Sequence, residues 1–259
     1  MPALDTKAGR AGFALEHRRT VGSTSAELVE RARGGETGPL WLVAHQQPAG
    51  RGRRERQWRS PKGNLYASLL LSDPGPPESV AQLSLVFALA LRDAVVGVDG
   101  PKSATAQVKW PNDLMLGGRK CAGLLLEGGS AKGLRFVVAG FGVNIASHPE
   151  ATAHKATDLQ SEEYMTDRDT LFELLGAAVQ DRLTVWNRGQ GLPAIRADWL
   201  RHAYGLGQPM RIATATESYV ATLRGVDPAG RLIVERDGVE LIVSAGEVFD
   251  LEGEPERAR

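Results

Sequence analysis

A strongly basic loop that follows an apolar run is the most constraining feature of this sequence. The run Leu40–Ala44 is typical of a buried strand, and the segment Gln47–Trp58 after it holds four arginines and two glycines. Glycine lets the backbone approach a ligand closely, and arginine presents a planar set of donors that suits phosphate and carboxylate. This loop is therefore predicted to cradle an anion. A solvated basic loop and a nucleic-acid site are the alternatives at this point.

Composition narrows the classes of protein. The 259 residues are 42% hydrophobic, with 31 basic and 31 acidic side chains, which suffices for one large domain or one large and one small domain. Balanced charge argues against a protein that mainly coats nucleic acid. A single cysteine, Cys121, excludes an intramolecular disulfide and a multi-cysteine metal site. Residues 1–12 lack a signal-peptide h-region, and we expect the apolar runs to be too short for a bilayer and the protein to be cytoplasmic.

Periodicity and turn residues predict an α+β order of elements. The predicted helices are Ala26–Ala32, Val80–Val98, one started by a Thr166 and Asp169 capping box, and Leu192–Ala203. The predicted strands are Leu40–Ala44, Asn64–Leu71, a hairpin of Leu114–Leu116 with Cys121–Glu127, and Leu134–Ile145. Short alternating runs in Gln208–Leu251, with a hairpin turn at Asp237 and Gly238, predict a small β domain. We divide the chain into a tail (1–12), a main domain (13–205) and an SH3-like β domain (206–259).

Three further motifs accompany the basic loop. They are Ser23-Thr24, Lys109–Asp113 (Lys-Trp-Pro-Asn-Asp) and Arg119–Gly123 (Arg-Lys-Cys-Ala-Gly). Each has an ordinary interpretation: a helix cap, a lysine beside a core tryptophan, or a lysine in an exposed hairpin. Cys121 is expected to be a small buried residue rather than a nucleophile. No histidine has a catalytic context, and the phosphate-binding Gly-x-x-x-x-Gly-Lys-Ser/Thr motif is absent from the sequence.

Together with Gly140–Asn144 (Gly-Phe-Gly-Val-Asn), these motifs resemble the biotin–protein ligase family in order and spacing, over about Phe13 to Leu251. The resemblance implies a mixed β-sheet with packed helices, followed by an SH3-like barrel. It also implies biotin, ATP and Mg²⁺ as ligands. Biotin would attack ATP to give biotinyl-5′-AMP and pyrophosphate, and a lysine of a biotin carboxyl carrier domain would then accept the biotin.

The resemblance also implies roles for individual residues. Lys120, Arg53 and Asp113 would be catalytic, with Asp113 also the candidate metal ligand. Biotin would be bound by Ser23, Thr24, Ser25, Gln47, Gly50, Arg51, Gly52, Arg53, Lys120 and Gly123. The nucleotide would be bound by Arg54, Arg56, Trp58, Lys109, Asn112, Asp113 and Asn144.

Two residues depart from the family pattern, and two alternative functions stay open. Glu55 stands where the family commonly has glycine, and Ser25 where it commonly has asparagine. About 20 residues precede Ser23, too few for a winged helix-turn-helix domain, so we expect a monofunctional monomer or weak homodimer without DNA or membrane partners. The alternatives are a lipoate or octanoate ligase and a nucleic-acid-binding module that uses Arg51–Arg59 with Trp58 as a stacking platform.

Overall fold

The computed structural model describes residues 12–100, 106–150 and 155–251. The predicted tail at residues 1–12 lies outside the described residues except for Gly12, and the charged end of the chain at residues 252–259 also lies outside them.

The described residues form two sheets and the helices that pack on them. The helices are α1 (Thr24–Gly34), α2 (Leu83–Val96), α3 (Arg168–Trp186) and α4 (Leu192–Arg201), with short 3-10 turns at Arg53–Glu55, Pro77–Gln82 and Asn187–Gly189. The strands of the first sheet are β1 (Ala14–Arg18), β2 (Leu40–Ala44), β3 (Leu65–Ser72), β4 (Ala106–Lys109), β5 (Asp113–Leu116), β6 (Arg119–Ala131) and β7 (Leu134–Val143). The strands of the second sheet are β8 (Pro209–Ala213), β9 (Ser218–Val226), β10 (Leu232–Arg236), β11 (Val239–Val243) and β12 (Glu247–Phe249).

The first sheet is mixed, as predicted. Its strand order is β1-β2-β3-β7-β6-β5-β4. The pair β1 and β2 is parallel, and the other neighbouring pairs are antiparallel. The predicted hairpin turns at Gly117 and Gly118, both with positive φ, and brings Asp113 opposite Gly123. The ends of β4 to β7 therefore lie side by side.

The central strands are buried on both faces. Successive side chains of a strand point to opposite faces, and β2 shows the consequence. Trp41 and Val43 belong to the large core that includes α2 and α3, whereas Leu40 and Leu42 pack with α1. The Trp41 ring lies 5.3 Å from Phe172 of α3, in an edge-on arrangement. Because helices cover both faces of the sheet at β2, every residue of this strand faces a core and is apolar.

Helix ends agree with the predicted capping at α1 but not at α3. Ser23 caps α1 by accepting a hydrogen bond from the amide of Ala26, and Gly35 ends it with φ of 103°. The predicted Thr166 and Asp169 capping box is wrong. Asp167 is the N-cap, because its carboxylate accepts a 2.8 Å hydrogen bond from the amide of Thr170, while Thr166 contacts only the carbonyl of Asp167.

The most apolar helical segment of the described residues is Pro77–Val96. By length and hydropathy alone this segment is able to span a membrane, which differs from the expectation that the apolar runs are too short. Two thirds of it is buried inside the protein, and Leu85, Phe87 and Leu89 of α2 are at most 1% exposed. The segment is therefore a core helix, whose apolar surface is covered by the sheet and α3.

The second sheet forms the predicted β domain. Its order is β11-β10-β9-β8-β12, and its neighbouring strands are antiparallel. Asp237 and Gly238 both have positive φ, which is the two-residue hairpin conformation that their types predict. A five-stranded antiparallel sheet of this size is consistent with an SH3-like barrel. The boundary predicted between residues 205 and 206 falls in the connection between α4 and β8.

One buried side chain holds the loop that leaves β7 towards the site. Asn64 is 1% exposed, and its Oδ1 accepts hydrogen bonds of 2.9, 2.9 and 3.3 Å from the amides of residues 145, 146 and 147. Its Nδ2 donates to the carbonyl of Ser147 at 2.8 Å. The side chain thus replaces the backbone partners that this loop lacks.

We expect Asn64→Ala to lower the free energy of unfolding by about 1–3 kcal/mol, because it leaves the buried amide of Ile145 and two partly buried amides without their acceptor. Urea denaturation measures the change. Gln46→Ala is the matched control, since Gln46 makes an exposed hydrogen bond to Thr20, and it should change stability by less than about 0.5 kcal/mol. Equal effects of the two substitutions would contradict this account of the loop.

Candidate active site

A cavity of about 860 Å³ opens where the basic loop, the start of α1 and the ends of β4 to β7 meet the second sheet. Its walls contain nearly all of the residues predicted for the site. Those residues are Ser23, Thr24, Ser25, Gln47, Arg51, Gly52, Arg53, Arg56, Trp58, Lys109, Asn112, Asp113, Lys120, Gly123 and Asn144. Segments far apart in the sequence are thus brought to one place.

Two predicted residues, Gly50 and Arg54, do not line this cavity. Gly50 shapes the loop instead, because a Cβ there would lie 2.4 Å from the carbonyl oxygen of Trp58. Its own carbonyl accepts a 2.9 Å hydrogen bond from the amide of Trp58. Arg54 points to Glu247 of the second sheet, with 3.5 Å between Nη1 and Oε1.

One end of the cavity is a chain of buried hydroxyl and amide groups. The amide and hydroxyl of Thr24 both donate to Oε1 of Gln47, at 2.7 and 3.0 Å. The hydroxyls of Thr24 and Ser25 lie 2.7 and 3.0 Å from that of Ser68 on β3. Ser68 was not among the predicted site residues, and its only signal was a serine in the middle of an apolar strand. These bonds hold the polar groups in place before any ligand arrives.

The centre of the cavity is an ion pair between neighbouring strands. Nζ of Lys120 on β6 lies 2.6 Å from Oδ1 of Asp113 on β5. The Lys120 backbone is anchored on its other side, since its amide donates to the carbonyl of Lys155 at 2.7 Å and its carbonyl accepts from the amide of Thr157 at 2.9 Å. The lysine thus presents its charge to the cavity from a fixed strand.

A second lysine lies deeper in the cavity wall. Lys109 ends β4 and is 3% exposed, and burial lowers the pKa of its ammonium group. The nearby carboxylates of Asp113 and Asp250 act in the opposite direction on this pKa. A cation is therefore retained in a poorly solvated place by negative charges around it.

The four loop arginines each have a partner in the structure. Arg51 pairs with Glu127, and Arg56 pairs with Glu247 at 3.0 Å, as Arg54 also does at longer distance. Arg53 donates to Asn112 at 3.4 Å and to the carbonyl of Gly246 at 3.3 Å, and burial lowers its pKa. The second sheet thus supplies anchors for the loop, which no local sequence pattern indicated.

The loop backbone explains what is unusual about Glu55. Arg54 and Glu55 have φ of 53° and 61°, the left-handed region that favours glycine. Because the family commonly has glycine at the position of Glu55, this chain holds a side chain where the backbone is strained.

Trp58 packs on a part of the sheet where two neighbouring positions are glycines. Its indole lies against Gly123 and Gly142, which face each other across β6 and β7. A Cβ on Gly142 would come within 2.6 Å of the indole. The ammonium of Lys120 lies 5.6 Å from the ring centroid, within cation–π range. Two glycines are therefore needed for this tryptophan to form one wall of the cavity.

Cys121 takes no part in the cavity. Its side chain is fully buried, its thiol lies 3.5 Å from the carbonyl of Asn144, and burial raises its pKa far above the usual range. The expectation of a buried structural cysteine is confirmed. Within residues 12–100, 106–150 and 155–251, no three or more histidine, cysteine or acidic side chains are arranged to hold a metal ion.

The second sheet forms part of the cavity wall, and none of its residues was predicted for the site. Glu247, Val248 and Phe249 of β12 line the cavity together with the residues of the first sheet. Glu247 is only 8% exposed although it is charged. In the sequence, Glu247 has no feature that separates it from other residues of the β domain. Its place in the cavity wall follows only from the packing of the two sheets.

Comparisons with known families agree with this architecture. The family described as Biotin/lipoate A/B protein ligase matches residues 20–144, and the Biotin protein ligase C terminal domain matches residues 205–249. The fold and cavity therefore define a protein of the biotin and lipoate ligase class.

Individual relatives are more specific. A biotin–[acetyl-CoA-carboxylase] ligase of Paracoccus denitrificans is 38% identical over 237 residues, covering 88% of this chain and 96% of the relative. The chain belongs to the biotin protein ligase family, and the resemblance noted above is confirmed.

Solved structures support the same fold. The biotin protein ligase of Leishmania major in complex with biotinyl-5-AMP is 27% identical with a TM-score of 0.63, covering 90% of this chain and 98% of that one. A biotin protein ligase from Aquifex aeolicus in complex with biotin and ATP has a TM-score of 0.74 at 24% identity, covering 91% and 97%, and shows the fold. The expected mixed sheet with packed helices and a C-terminal β domain is confirmed.

We expect Gly142→Ala to displace Trp58 from this part of the sheet, because the new methyl group would overlap the indole. Displacement into water should shift part of the tryptophan fluorescence to longer wavelength, while the melting temperature changes little. Gly128→Ala is the control on the same pair of strands, where a Cβ would have 3.7 Å of clearance. An unchanged emission spectrum in Gly142→Ala would refute the proposed seat of Trp58.

Proposed function

We propose that this chain is an ATP-dependent biotin–protein ligase that forms biotinyl-5′-AMP and then transfers biotin to a lysine of a biotin carboxyl carrier domain. The observation that carries the proposal is the cavity, in which a hydroxyl- and amide-lined end leads to the Lys120 and Arg53 cations. Relatives named biotin–[acetyl-CoA-carboxylase] ligase support biotin over lipoate or octanoate as the acid.

Biotin occupies the end formed by Ser23, Thr24, Ser25 and Gln47 in this proposal. The polar head of biotin both donates and accepts hydrogen bonds, which hydroxyl and amide groups match. Gly140 leaves room above β7, since a Cβ there would lie 2.2 Å from the hydroxyl of Ser25. Ser25 is shorter than the asparagine common in the family, so Ser68 takes part in ordering this end.

Activation joins two anions. An oxygen of the biotin carboxylate attacks the α-phosphorus of ATP, the bond from that phosphorus to the bridging oxygen breaks, and pyrophosphate leaves with the electron pair. Fixed cations oppose the charge repulsion, and they act more strongly in a poorly solvated cavity than in water. Lys120 and Arg53 are assigned this role because both are cationic and line the cavity.

The nucleotide is assigned to the side of the cavity that holds Trp58, Asn112, Asp113 and Asn144. The indole offers an aromatic face for the base, as in other stacking sites. Arg56 and Lys109 line the cavity and supply positive charge around the phosphates, and Arg54 adds charge from beside the cavity. Glu247 competes for Arg54 and Arg56, so that binding of a phosphate exchanges one anionic partner for another.

The protein side chains of the cavity could supply only some of the ligands of Mg²⁺. Asp113 offers one carboxylate beside the side-chain amide of Asn112, and Mg²⁺ is commonly bound by one or two carboxylates together with substrate phosphates. Asp113 would hold the ion with ATP, and the ion would offset phosphate charge. Asp113 already pairs with Lys120, so this carboxylate is shared between the two cations.

Transfer needs no covalent bond to the enzyme. The amine of the carrier lysine attacks the acyl carbon of biotinyl-5′-AMP, a C–N bond forms, and the bond to the phosphate oxygen breaks to release AMP. The amine must lose a proton, and Asp113 is the carboxylate assigned to orient or accept it. Lys120 and Arg53 oppose the negative charge that develops on the acyl oxygen and on AMP.

We further propose a cytoplasmic monomer or weak homodimer that acts without DNA. The consumption of ATP and the single buried thiol support the compartment, and the balanced charge of the chain argues against nucleic acid as the main partner. The carrier domain is the expected protein partner, and the cavity mouth is where its lysine would enter.

The proposal is tested by isotope exchange between pyrophosphate and ATP in the presence of biotin. Exchange that requires biotin, together with transfer of biotin to a purified carrier domain, is the expected result. Exchange with lipoate or octanoate but not biotin would overturn the assignment of the acid. A shifted duplex at physiological salt with no exchange would favour the nucleic-acid alternative.

Lys120→Ala should weaken binding of biotin or its adenylate by about 10- to 150-fold, because it removes a charge-assisted hydrogen bond worth roughly 1.5–3 kcal/mol. Calorimetry and exchange kinetics measure the change. Arg224→Ala, which removes a cation from an exposed pair with Glu235, is the control and should bind normally. Normal binding by Lys120→Ala would remove this lysine from the site.

The basic loop should become more protected when ligands bind. Arg51, Arg53, Arg54 and Arg56 repel one another, and ligand anions supply charge that the exposed ion pairs supply only weakly. We expect trypsin to cut the free protein near Arg51–Arg59, and biotin with ATP to slow that cleavage while sites elsewhere are cut at the same rate. Equal loop cleavage with bound ligands would exclude ordering of the loop.

A further inference from the structure

Tyr204 connects three parts of the molecule that no sequence pattern had joined. It follows α4 in the connection to the second sheet, and its amide donates a 2.9 Å hydrogen bond to the carbonyl of Val108 on β4. Its hydroxyl donates a 2.8 Å hydrogen bond to Oδ1 of Asp250, directly after β12. Its ring lies 5.4 Å from the ammonium of Lys109, measured to the ring centroid.

The aromatic ring of Tyr204 restricts where the charge of Lys109 can lie. A lysine side chain has four rotatable bonds and a compact charge, and this one is buried in the cavity wall at the end of β4. The charged groups that act on it are Asp113, Asp250, Lys120 and Glu247. An aromatic face attracts an ammonium group and restricts where it lies.

The hydroxyl of Tyr204 fixes the orientation of that aromatic face. Burial and the hydrogen bond to Asp250 raise the pKa of Tyr204 to about 12, so that its hydroxyl stays protonated and donates. Asp250 directly follows Phe249, which lines the cavity. The position of the ring therefore depends on how the second sheet is seated.

We propose that Tyr204 is a positioning residue, which Asp250 orients so that its ring holds the ammonium of Lys109 toward the phosphates of ATP. This proposal rests on the proposed ligase function, since it concerns the nucleotide end of the same cavity. It makes the second sheet contribute to ATP binding through a residue that touches no ligand itself. Its effect should appear with ATP and not with biotin.

A purely structural role for Tyr204 makes a different prediction. The hydrogen bond from its amide to Val108 survives any side-chain substitution, so the edge of β4 stays covered. Loss of packing alone would lower stability and the active fraction, with KM for ATP unchanged. Loss of positioning raises KM for ATP and leaves biotin affinity intact.

The test uses the full-length chain and the variants Tyr204→Leu, Tyr204→Phe and Asp250→Asn. Biotin-dependent exchange gives KM for ATP and kcat, and calorimetry gives the affinities for ATP and for biotin. Tyr219→Leu is the matched control, because it removes a ring that lies 5.0 Å from the guanidinium of Arg236 in the second sheet and does not border the cavity.

We expect Tyr204→Leu to raise KM for ATP by about 2- to 30-fold, the range that loss of a cation–π contact gives. Tyr204→Phe and Asp250→Asn keep the ring but alter the hydrogen bond that orients it, so both should raise KM for ATP by a similar factor that is smaller than for Tyr204→Leu. The control, kcat and biotin affinity should stay within about twofold of the parent, a difference under roughly 0.4 kcal/mol by the same conversion. In a Lys109→Met background, Tyr204→Leu should have no further effect.

Several results would overturn the inference. One is an equal effect of Tyr204→Leu with and without Lys109, and another is a fall in biotin affinity with KM for ATP unchanged. If Tyr204→Leu does not fold, a raised KM for ATP in both Tyr204→Phe and Asp250→Asn supports the inference, and an unchanged KM in both overturns it. If the unsubstituted protein shows no biotin-dependent exchange, the proposed ligase function is refuted. The role of Tyr204 is then tested by the ATP affinities of the same variants, measured by calorimetry. If the unsubstituted protein does not bind ATP, both the ligase function and the role of Tyr204 are refuted.

Discussion

Cationic side chains can line a largely buried cavity only when carboxylates accompany them, because an uncompensated buried charge costs several kcal/mol or loses its proton. Asp113 accompanies Lys120 inside the cavity, whereas Glu127 pairs with Arg51, and Glu247 with Arg54 and Arg56, on a loop that is partly exposed to solvent. These carboxylates offset part of the positive charge of the cavity, which keeps more cationic than anionic side chains in its lining. An incoming phosphate or carboxylate then replaces protein carboxylates as the partner of the same cations.

The fold makes this arrangement possible through the neighbouring ends of β4 to β7. The tight turn at Gly117 and Gly118 places β5 beside β6, so that Asp113 and Lys120 meet across two strands. Side-chain-free positions on β6 and β7 let Trp58 close one wall. Helices on both faces bury the central strands and leave little freedom for their ends. The reacting groups therefore lie on a rigid sheet, while the loop above them carries the exchangeable charges.

The second sheet is part of the site rather than an appendage. Glu247 anchors the basic loop, Val248 and Phe249 line the cavity, and Asp250 orients Tyr204 against Lys109. A change in how this sheet is seated would therefore alter both the loop and the nucleotide end. The loop conformation at Glu55 also depends on its surroundings, because a backbone with positive φ at a non-glycine residue is strained and persists only where neighbouring groups hold it.

The sequence by itself determined most of the elements and most of the site, although the strands β1 and β4 were not predicted. Buried runs, glycine turns and family motifs predicted the mixed sheet and the β domain. They also predicted seventeen site residues, of which fifteen line the cavity. Local patterns succeed here because β2, the hairpin and the basic loop each carry their signal within a few residues. Only the tertiary structure decided the roles of Ser68, Tyr204, Glu247 and Asp250. A serine in an apolar strand or a glutamate in a short barrel strand has no distinctive neighbours in sequence. Its role comes from a partner tens to nearly two hundred positions away.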